Sequence, residues 1–298
     1  MRLVTYAAQD GGPHVGVLSG DLVASVEPFG DMLELIRAGG SALDVARRAA
    51  RDGLSAFAAS GAGAFSAARV RLLAPIPHPQ RNVVCVGLNY AEHVAESKSA
   101  ADATLPQHPV FFTKPPQSVI GPDDAIPWHG HVSTAIDWEA ELAVIIGREG
   151  RDIDEADALD YVFGYTCAND VTARDLQPRH QQWYKGKGLD GFCPLGPAII
   201  TRDEIDDPQQ LEIALRVNGV EKQRSNTRHM IFPVANLIAA WSAGMTLLPG
   251  DILLTGTPSG VGIGRTPPEF LRPGDTVEVE IERIGLLRNT VATPANPK

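Results

Sequence analysis

The sequence predicts a β-rich α+β protein in which a small N-terminal module precedes a larger one. Three observations carry that expectation. Short strand-like runs recur at brief intervals along most of the chain, with few helical stretches between them. One helical stretch, residues 31–59, interrupts the strands near the N-terminus. Three prolines in five residues, Pro75-Ile76-Pro77-His78-Pro79, mark an extended linker. Residues 1–73 are therefore assigned to the small module and residues 74–298 to the large one.

The elements follow in chain order. Arg2–Tyr6, His14–Leu18 and Leu22–Val26 alternate and are broken by a Ser19-Gly20-Asp21 turn, as in a short meander. Residues 31–59 switch to helical spacing, with Asp31 and Ser41 as caps and Gly39-Gly40 dividing two helices. Gly61-Ala62-Gly63-Ala64 lacks the third glycine and the preceding strand of a dinucleotide loop, and reads as a flexible connection. The large module opens with the apolar strand Asn82–Gly87 and a helical turn around His93. Residues 97–109 are small, polar and proline-containing, which suits a mobile loop. Further strands are predicted at 111–114, 137–147, 161–167, 198–201, 211–217, 251–255 and 276–281, with a short helix at 155–159. One clear helix spans 232–243, with Pro233 in its first turn.

Composition excludes several classes of function. The 298 residues contain 26 Lys and Arg against 36 Asp and Glu, a net charge of −10, with 44% hydrophobic residues. No basic cluster offers the footprint of a nucleic-acid binder. No stretch approaches the roughly 18 apolar residues of a membrane span, and Met1–Tyr6 lacks the apolar run of a signal peptide. Cys85, Cys167 and Cys193 form no CxxC pair, as expected of reduced thiols in a cytoplasmic protein.

Four constellations can carry chemistry. In the strand predicted at 137–147, Glu139 and Glu141 are two residues apart and share a face, with Cα atoms roughly 7 Å apart. A cation between them would relieve their repulsion, although such alternation taken alone is also ordinary for a wet acidic strand face. Asp170, just after the strand 161–167, would complete three hard oxygen ligands suited to Mg²⁺ or Mn²⁺ rather than zinc. His93 and Glu96, at i and i+3, make either a general-base dyad or a surface ion pair. Lys187 lies between two glycines, in a segment too glycine-rich for a helix; it could steady an oxyanion or simply be solvated. Thr255–Gly262 combines hydroxyls and glycines after a buried strand, either as a nest for a substrate carboxylate or as a plain turn. Ser259 lacks the frame of a serine nucleophile.

Seven runs occur in one order: GLNYAEHVAE (87–96), FFTKP (111–115), DWEAELAVIIG (137–147), FGYTCANDVTARDLQ (163–177), KGKGLDGFCPLGP (185–197), VNGVEKQRSNTRHMIF (217–232) and LLPGDILLTGTPSGVG (247–262). Together they resemble the fumarylacetoacetate hydrolase superfamily over nearly all of residues 82–285. The resemblance implies a mixed-sheet, barrel-like roll, a homodimer, and Mg²⁺, Mn²⁺ or Ca²⁺ at Glu139, Glu141 and Asp170. It assigns His93 and Glu96 to water or proton handling, Lys187 and Gln177 to the substrate's carbonyl oxygens, and Thr257 to its carboxylate. Lys114 is a further candidate that either contacts substrate in the pocket or simply packs, and Arg174 and Asp175 are expected to support the metal site. Residues 1–73 resemble the N-terminal extension of some relatives.

The leading expectation is a hydrolase that cleaves a C–C bond in an acylpyruvate, fumarylpyruvate or diketo acid, with His93 activating water. The alternative uses the same enolate chemistry without water, as a decarboxylase of 2-oxo dicarboxylates or a tautomerase of 2-hydroxy-dienoates. A third reading, from another class, is a silent small-molecule-binding protein on this fold. In either enzymatic reading the partner is a small anionic 2-oxo acid.

Overall fold

The computed structural model describes residues 1–7, 12–61, 63–97 and 104–293. Residues 98–103 of the predicted mobile loop and Ala62 of the predicted flexible connection lie outside the described residues.

Strands dominate, in three sheets. The largest has twelve strands. Its path starts at Phe65–Ser66 and passes through Leu22–Ser25, Pro13–Ser19, Arg2–Ala7, Cys193–Thr201 and Val162–Asn169. It then runs through Ala140–Ile146, Ile252–Leu254 and Val83–Gly87 to Val110–Lys114. A five-stranded sheet orders Val220–Asn226, Glu212–Val217, Thr276–Ile281, Gly285–Val291 and Ala125–Ile126, and Ile136–Asp137 pairs with Thr172–Ala173. Most pairs are antiparallel, but Ile252–Leu254 runs parallel to Val83–Gly87. This is the mixed-sheet, β-rich architecture the sequence predicts, with the main sheet open at both ends rather than closed as a barrel.

The first strand pairs along its whole length with Pro13–Ser19, and its other edge is shared, Leu3 pairing with Ile199 and Thr5 with Leu73. The sheet therefore continues across the 73/74 boundary. The helices Met32–Ala38 and Gly40–Ser60 divide at Gly39, whose φ of 66° suits glycine. Asp31 caps the first helix by accepting from the Glu34 N–H. Ser41 does not cap the second: its hydroxyl donates to the Ala38 carbonyl, and the helix starts from Gly39 without a side-chain cap.

Ala140–Ile146 lies at the centre of the main sheet, buried at every residue between Val162–Asn169 and Ile252–Leu254. Its alternate side chains enter different cores. Leu142, Val144 and Ile146 pack in one cluster with Trp138 and Tyr165. Ala143 and Ile145 join another with Cys85, Leu254 and the N-terminal helix residues Met32, Leu35 and Ile36. The strand predicted over 137–147 is in fact interrupted. Ile136–Asp137 pairs with Thr172–Ala173, and the ladder resumes at Ala140. Between them the Glu139 N–H donates to the Asn169 side chain, and the Glu139 carbonyl accepts from the Asp170 N–H. These two bonds bring Glu139 and Asp170 together.

Other predicted elements shift slightly. Residues 155–161 form a 3₁₀ segment, and the helix predicted at 232–243 spans Val234–Ser242, with Pro233 at its N-cap. Tyr184–Lys187 forms one helical turn where the glycines argue against a helix. A Cβ on Gly186 would lie 2.7 Å from the Ala173 carbonyl, so glycine here permits close packing. No helix among the described residues is long and apolar enough to cross a membrane.

Asn89 joins the strand Val83–Gly87 to the helix Ala91–Ser97. Its fully buried amide donates to the Phe232 and Thr255 carbonyls and accepts from the Phe232 N–H. Asn89→Ala strands these groups in the interior and is expected to cost roughly 2–3 kcal/mol. Urea denaturation measures this directly; an unchanged midpoint at constant slope would contradict the role given to Asn89.

Candidate active site

The carboxylates of Glu139, Glu141 and Asp170 converge. One oxygen from each lies within 4.8 Å of the others, and all three residues are buried. The bend at Glu139 and the start of the central strand supply two of them. The loop after Val162–Asn169 supplies the third.

Buried cations surround the cluster. Lys187 Nζ donates to Glu139 Oε2 at 2.8 Å and to Asp170 Oδ2 at 2.7 Å. Arg174 bridges Asp137 through Nε and Glu139 through Nη1, each at 2.7 Å. Lys114, fully buried at the end of the edge strand, donates to Asp170 Oδ1 and the Val171 carbonyl. Burial works to raise the Glu139 carboxyl, but Lys187 and Arg174 outweigh it and hold that group at about 2. Burial works in the opposite direction on the Lys187 ammonium, yet Asp170 and Glu139 raise it above the ordinary lysine value. Glu141 differs from its neighbours. Its one hydrogen bond is from the Gly256 N–H, and no cation among the described residues lies within salt-bridge distance. Burial, then Asp170 and Glu139, push its carboxyl well above the usual range.

His93 is 7% exposed, so the dyad is not a surface pair. Its Nδ1 lies 3.4 Å from Glu96 Oε2, leaving Nε2 without a protein partner among the described residues. Glu96 is fixed in turn by the Gly260 N–H, 3.1 Å from both carboxylate oxygens.

The glycine-rich turn corrects one expectation. Four of its N–H groups hold the protein's own carboxylates rather than standing open for a substrate: Gly256 binds Glu141, Gly260 binds Glu96, and Gly262 and Ile263 bind Asp137. Backbone donors in a tight turn suit any carboxylate, and three internal ones occupy them.

A cavity of about 280 Å³ is lined by His93, Glu96, Glu139, Glu141, Arg174, Gln177, Lys187 and Thr257, with Phe112, Trp183 and Ile263 on its apolar side. It therefore gathers the predicted dyad, Lys187, Gln177, Thr257 and two of the three predicted ligands, with Asp170 bonded to Lys187 behind them. Lys114 is the exception. It lies behind Asp170, off the cavity wall, and its ammonium is committed to Asp170 and Val171, which corrects its expected contact with substrate. Asp175 also turns away, accepting from the Ser133 hydroxyl. A larger cleft of about 760 Å³ lies near Arg37, Arg47 and Arg202, but it contains none of these groups.

Sequence reasoning gave no role to Asp137, Asn169 or Gln223. Asp137 stands in the same run as the ligands, and its pairing with Arg174 was the one available signal. Gln223 lies on a different sheet and had none.

Residues 82–292 match the family described as fumarylacetoacetate (FAA) hydrolase C-terminal. The chain is 45% identical over 262 residues to oxaloacetate tautomerase YisK of Bacillus subtilis (strain 168), covering 88% of this chain and 86% of that protein. It is also 45% identical over 300 residues to the mitochondrial oxaloacetate tautomerase Fahd2a of Rattus norvegicus, covering 98% and 91%. Among solved structures, fumarylacetoacetate hydrolase (EaFAH) from psychrophilic Exiguobacterium antarcticum superposes with a TM-score of 0.83 at 41% identity, covering 99% of this chain and 100% of that one. Maleylpyruvate hydrolase from Sphingobium sp. SYK-6, in complex with manganese(II) ion and pyruvate, gives 0.76 at 30% identity, with coverage of 99% and 100%. With the family match over residues 82–292 and 45% identity to relatives across most of its length, the chain belongs to the fumarylacetoacetate hydrolase family.

Proposed function

We propose that this protein is a divalent-metal-dependent tautomerase that interconverts the keto and enol forms of oxaloacetate or a closely similar 2-oxo dicarboxylate. The observation that carries the proposal is the 45% identity to an oxaloacetate tautomerase across 88% of the chain. It favours the isomerase alternative over the C–C hydrolase that the sequence first suggests. The small cavity supports a short substrate.

The carboxylate cluster fits a cation. Asp137, Glu139, Glu141 and Asp170 face Lys114, Lys187 and Arg174, so four buried carboxylates meet three buried cations and Glu141 is left uncompensated. A divalent ion held by Glu139, Glu141 and Asp170 would balance it, and an all-oxygen donor set suits Mg²⁺ or Mn²⁺, with Ca²⁺ a further candidate. When bound, such an ion polarises the 2-oxo group of a substrate and acidifies its C3–H.

Tautomerisation moves one proton between C3 and the 2-oxygen, consumes no water and breaks no C–C bond. His93 Nε2 accepts the C3 proton, and Glu96 stabilises the imidazolium and keeps Nδ1 protonated. The imidazolium then returns the proton to the 2-oxygen. Lys187 acts as a fixed positive charge, because its carboxylate partners oppose loss of its proton. Gln177 and Thr257 supply neutral hydrogen-bonding groups at the cavity wall. The acting species is taken as the homodimer that the family implies; the open edge strand Val110–Lys114, with exposed Phe111, supports that assembly. Three buried free thiols fit the predicted cytoplasmic setting.

In a Mg²⁺-supplemented assay that follows loss of enol absorbance, the protein is expected to accelerate oxaloacetate ketonisation, and excess EDTA to abolish the effect. His93→Ala should lower turnover by about 10²–10⁴. A wild-type protein that leaves the enol unchanged but cleaves acylpyruvates would return the assignment to hydrolysis, and an undiminished His93→Ala enzyme would remove the base.

Glu141 sets the pH dependence of metal binding. Its raised pKa means the metal-free fold favours the protonated carboxyl. The associated stability is fully present below the ordinary glutamate value and is lost as pH rises through the raised value. Binding a cation must expel that proton, so Mg²⁺ affinity should increase with pH and binding should release protons. Glu141→Gln should weaken Mg²⁺ binding by at least about 10²-fold without lowering the melting temperature in EDTA. Calorimetry at two pH values in buffers of different ionisation enthalpy reads both effects; affinity independent of pH would overturn this account.

A further inference from the structure

Gln223, on Val220–Asn226 of the five-stranded sheet, is 1% exposed and hydrogen-bonds into the catalytic half of the molecule through its side-chain amide. Its Oε1 accepts from the Ala140 N–H at 2.9 Å. Its Nε2 donates to the Pro258 carbonyl at 2.7 Å and to the Thr257 hydroxyl at 2.8 Å. Two of these partners admit no ambiguity: a backbone N–H can only donate and a carbonyl can only accept. They fix which end of the amide is nitrogen. The remaining Nε2–H therefore points to Thr257, whose oxygen must accept it.

That commitment determines what Thr257 can do. A hydroxyl has one hydrogen, and no acceptor for it is found among the described residues. Thr257 is 3% exposed and lines the cavity beside Lys187 and the carboxylates. Its O–H is left to donate into the cavity.

We infer that Gln223 is a positioning residue that makes the Thr257 hydroxyl an obligate hydrogen-bond donor, so that this corner of the cavity selects an acceptor such as a substrate carboxylate oxygen. The inference deepens the proposed function and rests on the cavity being a 2-oxo acid site. Gln223 never touches substrate. It acts by denying Thr257 the alternative of turning inward, and by coupling Thr257 to Ala140, the residue between Glu139 and Glu141.

Oxalate, a dianion that presents only acceptors, is the probe, titrated by calorimetry into the Mg²⁺-loaded protein in parallel with oxaloacetate kinetics. Thr257→Val should weaken oxalate about 10- to 100-fold, the range for one hydrogen bond to a charged group, and raise KM more than it lowers kcat. Gln223→Glu reverses the polarity at Thr257, because a carboxylate accepts the hydroxyl proton; it should weaken oxalate to a similar extent. Gln223→Met, which leaves Thr257 free to turn, should fall between wild type and Gln223→Glu, and serves as the probe if the buried charge prevents folding. In the Thr257→Val background, either Gln223 change should add less than about twofold, since the two residues act through one hydroxyl.

Equal losses in both backgrounds would mean that Gln223 merely supports the fold, and tight oxalate binding by a folded Gln223 variant would also overturn the proposal. If Thr257→Val leaves oxalate binding unchanged, Thr257 does not receive the ligand and the inference fails there. Absence of oxaloacetate turnover in a wild type that binds oxalate in this pattern would instead overturn the tautomerase reading and leave the Gln223 inference standing.

Discussion

Crowding three buried carboxylates within 4.8 Å of one another is the constraint on which the rest of the site depends. Like charges at such distances raise one another's pKa and would by themselves drive protonation or unfolding. The fold meets this with buried cations drawn from different elements. Lys114 comes from the end of the edge strand, Arg174 from the turn after Thr172–Ala173, and Lys187 from a one-turn helix. Each element is short, and none would be stable alone; each is held by what it carries into the cluster. The balance stops one cation short, and the residue left over is Glu141. With the Glu141 carboxyl protonated the cluster is balanced without a metal, while its converged oxygens leave a place where a divalent ion could displace that proton.

The glycine-rich turn at 255–264 is the second organising device. Its backbone N–H groups reach Glu141, Glu96 and Asp137, so one stretch sets the metal-ligand side, the base dyad and the arginine anchor. Side chains could not do this at the same density. The φ angles of 97° at Gly256 and 101° at Gly260 lie where glycine is favoured, and a Cβ at Gly260 would lie 2.2 Å from the Lys222 carbonyl. The backbone must pass close to the second sheet for its donors to point inward. Thr257 and Gln223 meet at that same crossing.

Much of this was legible in the sequence, and the reasons differ by residue. The central strand announced itself because Leu142–Ile146 is apolar without interruption, which only a strand buried on both faces requires. The helix pair was legible from its spacing and from Gly39. The ligands, dyad and Lys187 stood out from the residues only as open alternatives, and resemblance to a family favoured the functional reading and added Gln177 and Thr257, because convergence across thirty or more residues leaves no local trace. Failures occurred where tertiary contacts override local rules. The strand at 137–147 breaks because Asn169 supplies a side-chain partner for the Glu139 N–H. Residues 184–187 turn into a helix because Gly186 must approach Ala173. From sequence Lys114 either lines the pocket or packs, and it is a buried counter-ion to Asp170 because its ammonium reaches a carboxylate 56 residues away.

An enolate beside a 2-oxo group is common to tautomerases, C–C hydrolases and decarboxylases, whether a proton, an acyl group or CO₂ leaves to form it, so the carboxylate cluster alone does not dictate the outcome. The aromatic wall of the cavity sets the space left beside that cluster. Trp183 packs edge-on to Phe112, with ring centroids 5.3 Å apart, and reaches the cavity only because Gly87 has no side chain; a Cβ there would come within 2.3 Å of the indole. Gly87 ends the strand that leads to His93, so one backbone position sets both the reach of the aromatic wall and the approach to the base. The result is a space of about 280 Å³ lined by charges, hydrogen-bonding groups and rings, with the Lys187 ammonium 5.0 Å from the centre of the Phe112 ring. The packing of one glycine against one tryptophan thus sets how far the aromatic wall reaches into the cavity that the base and the carboxylates share.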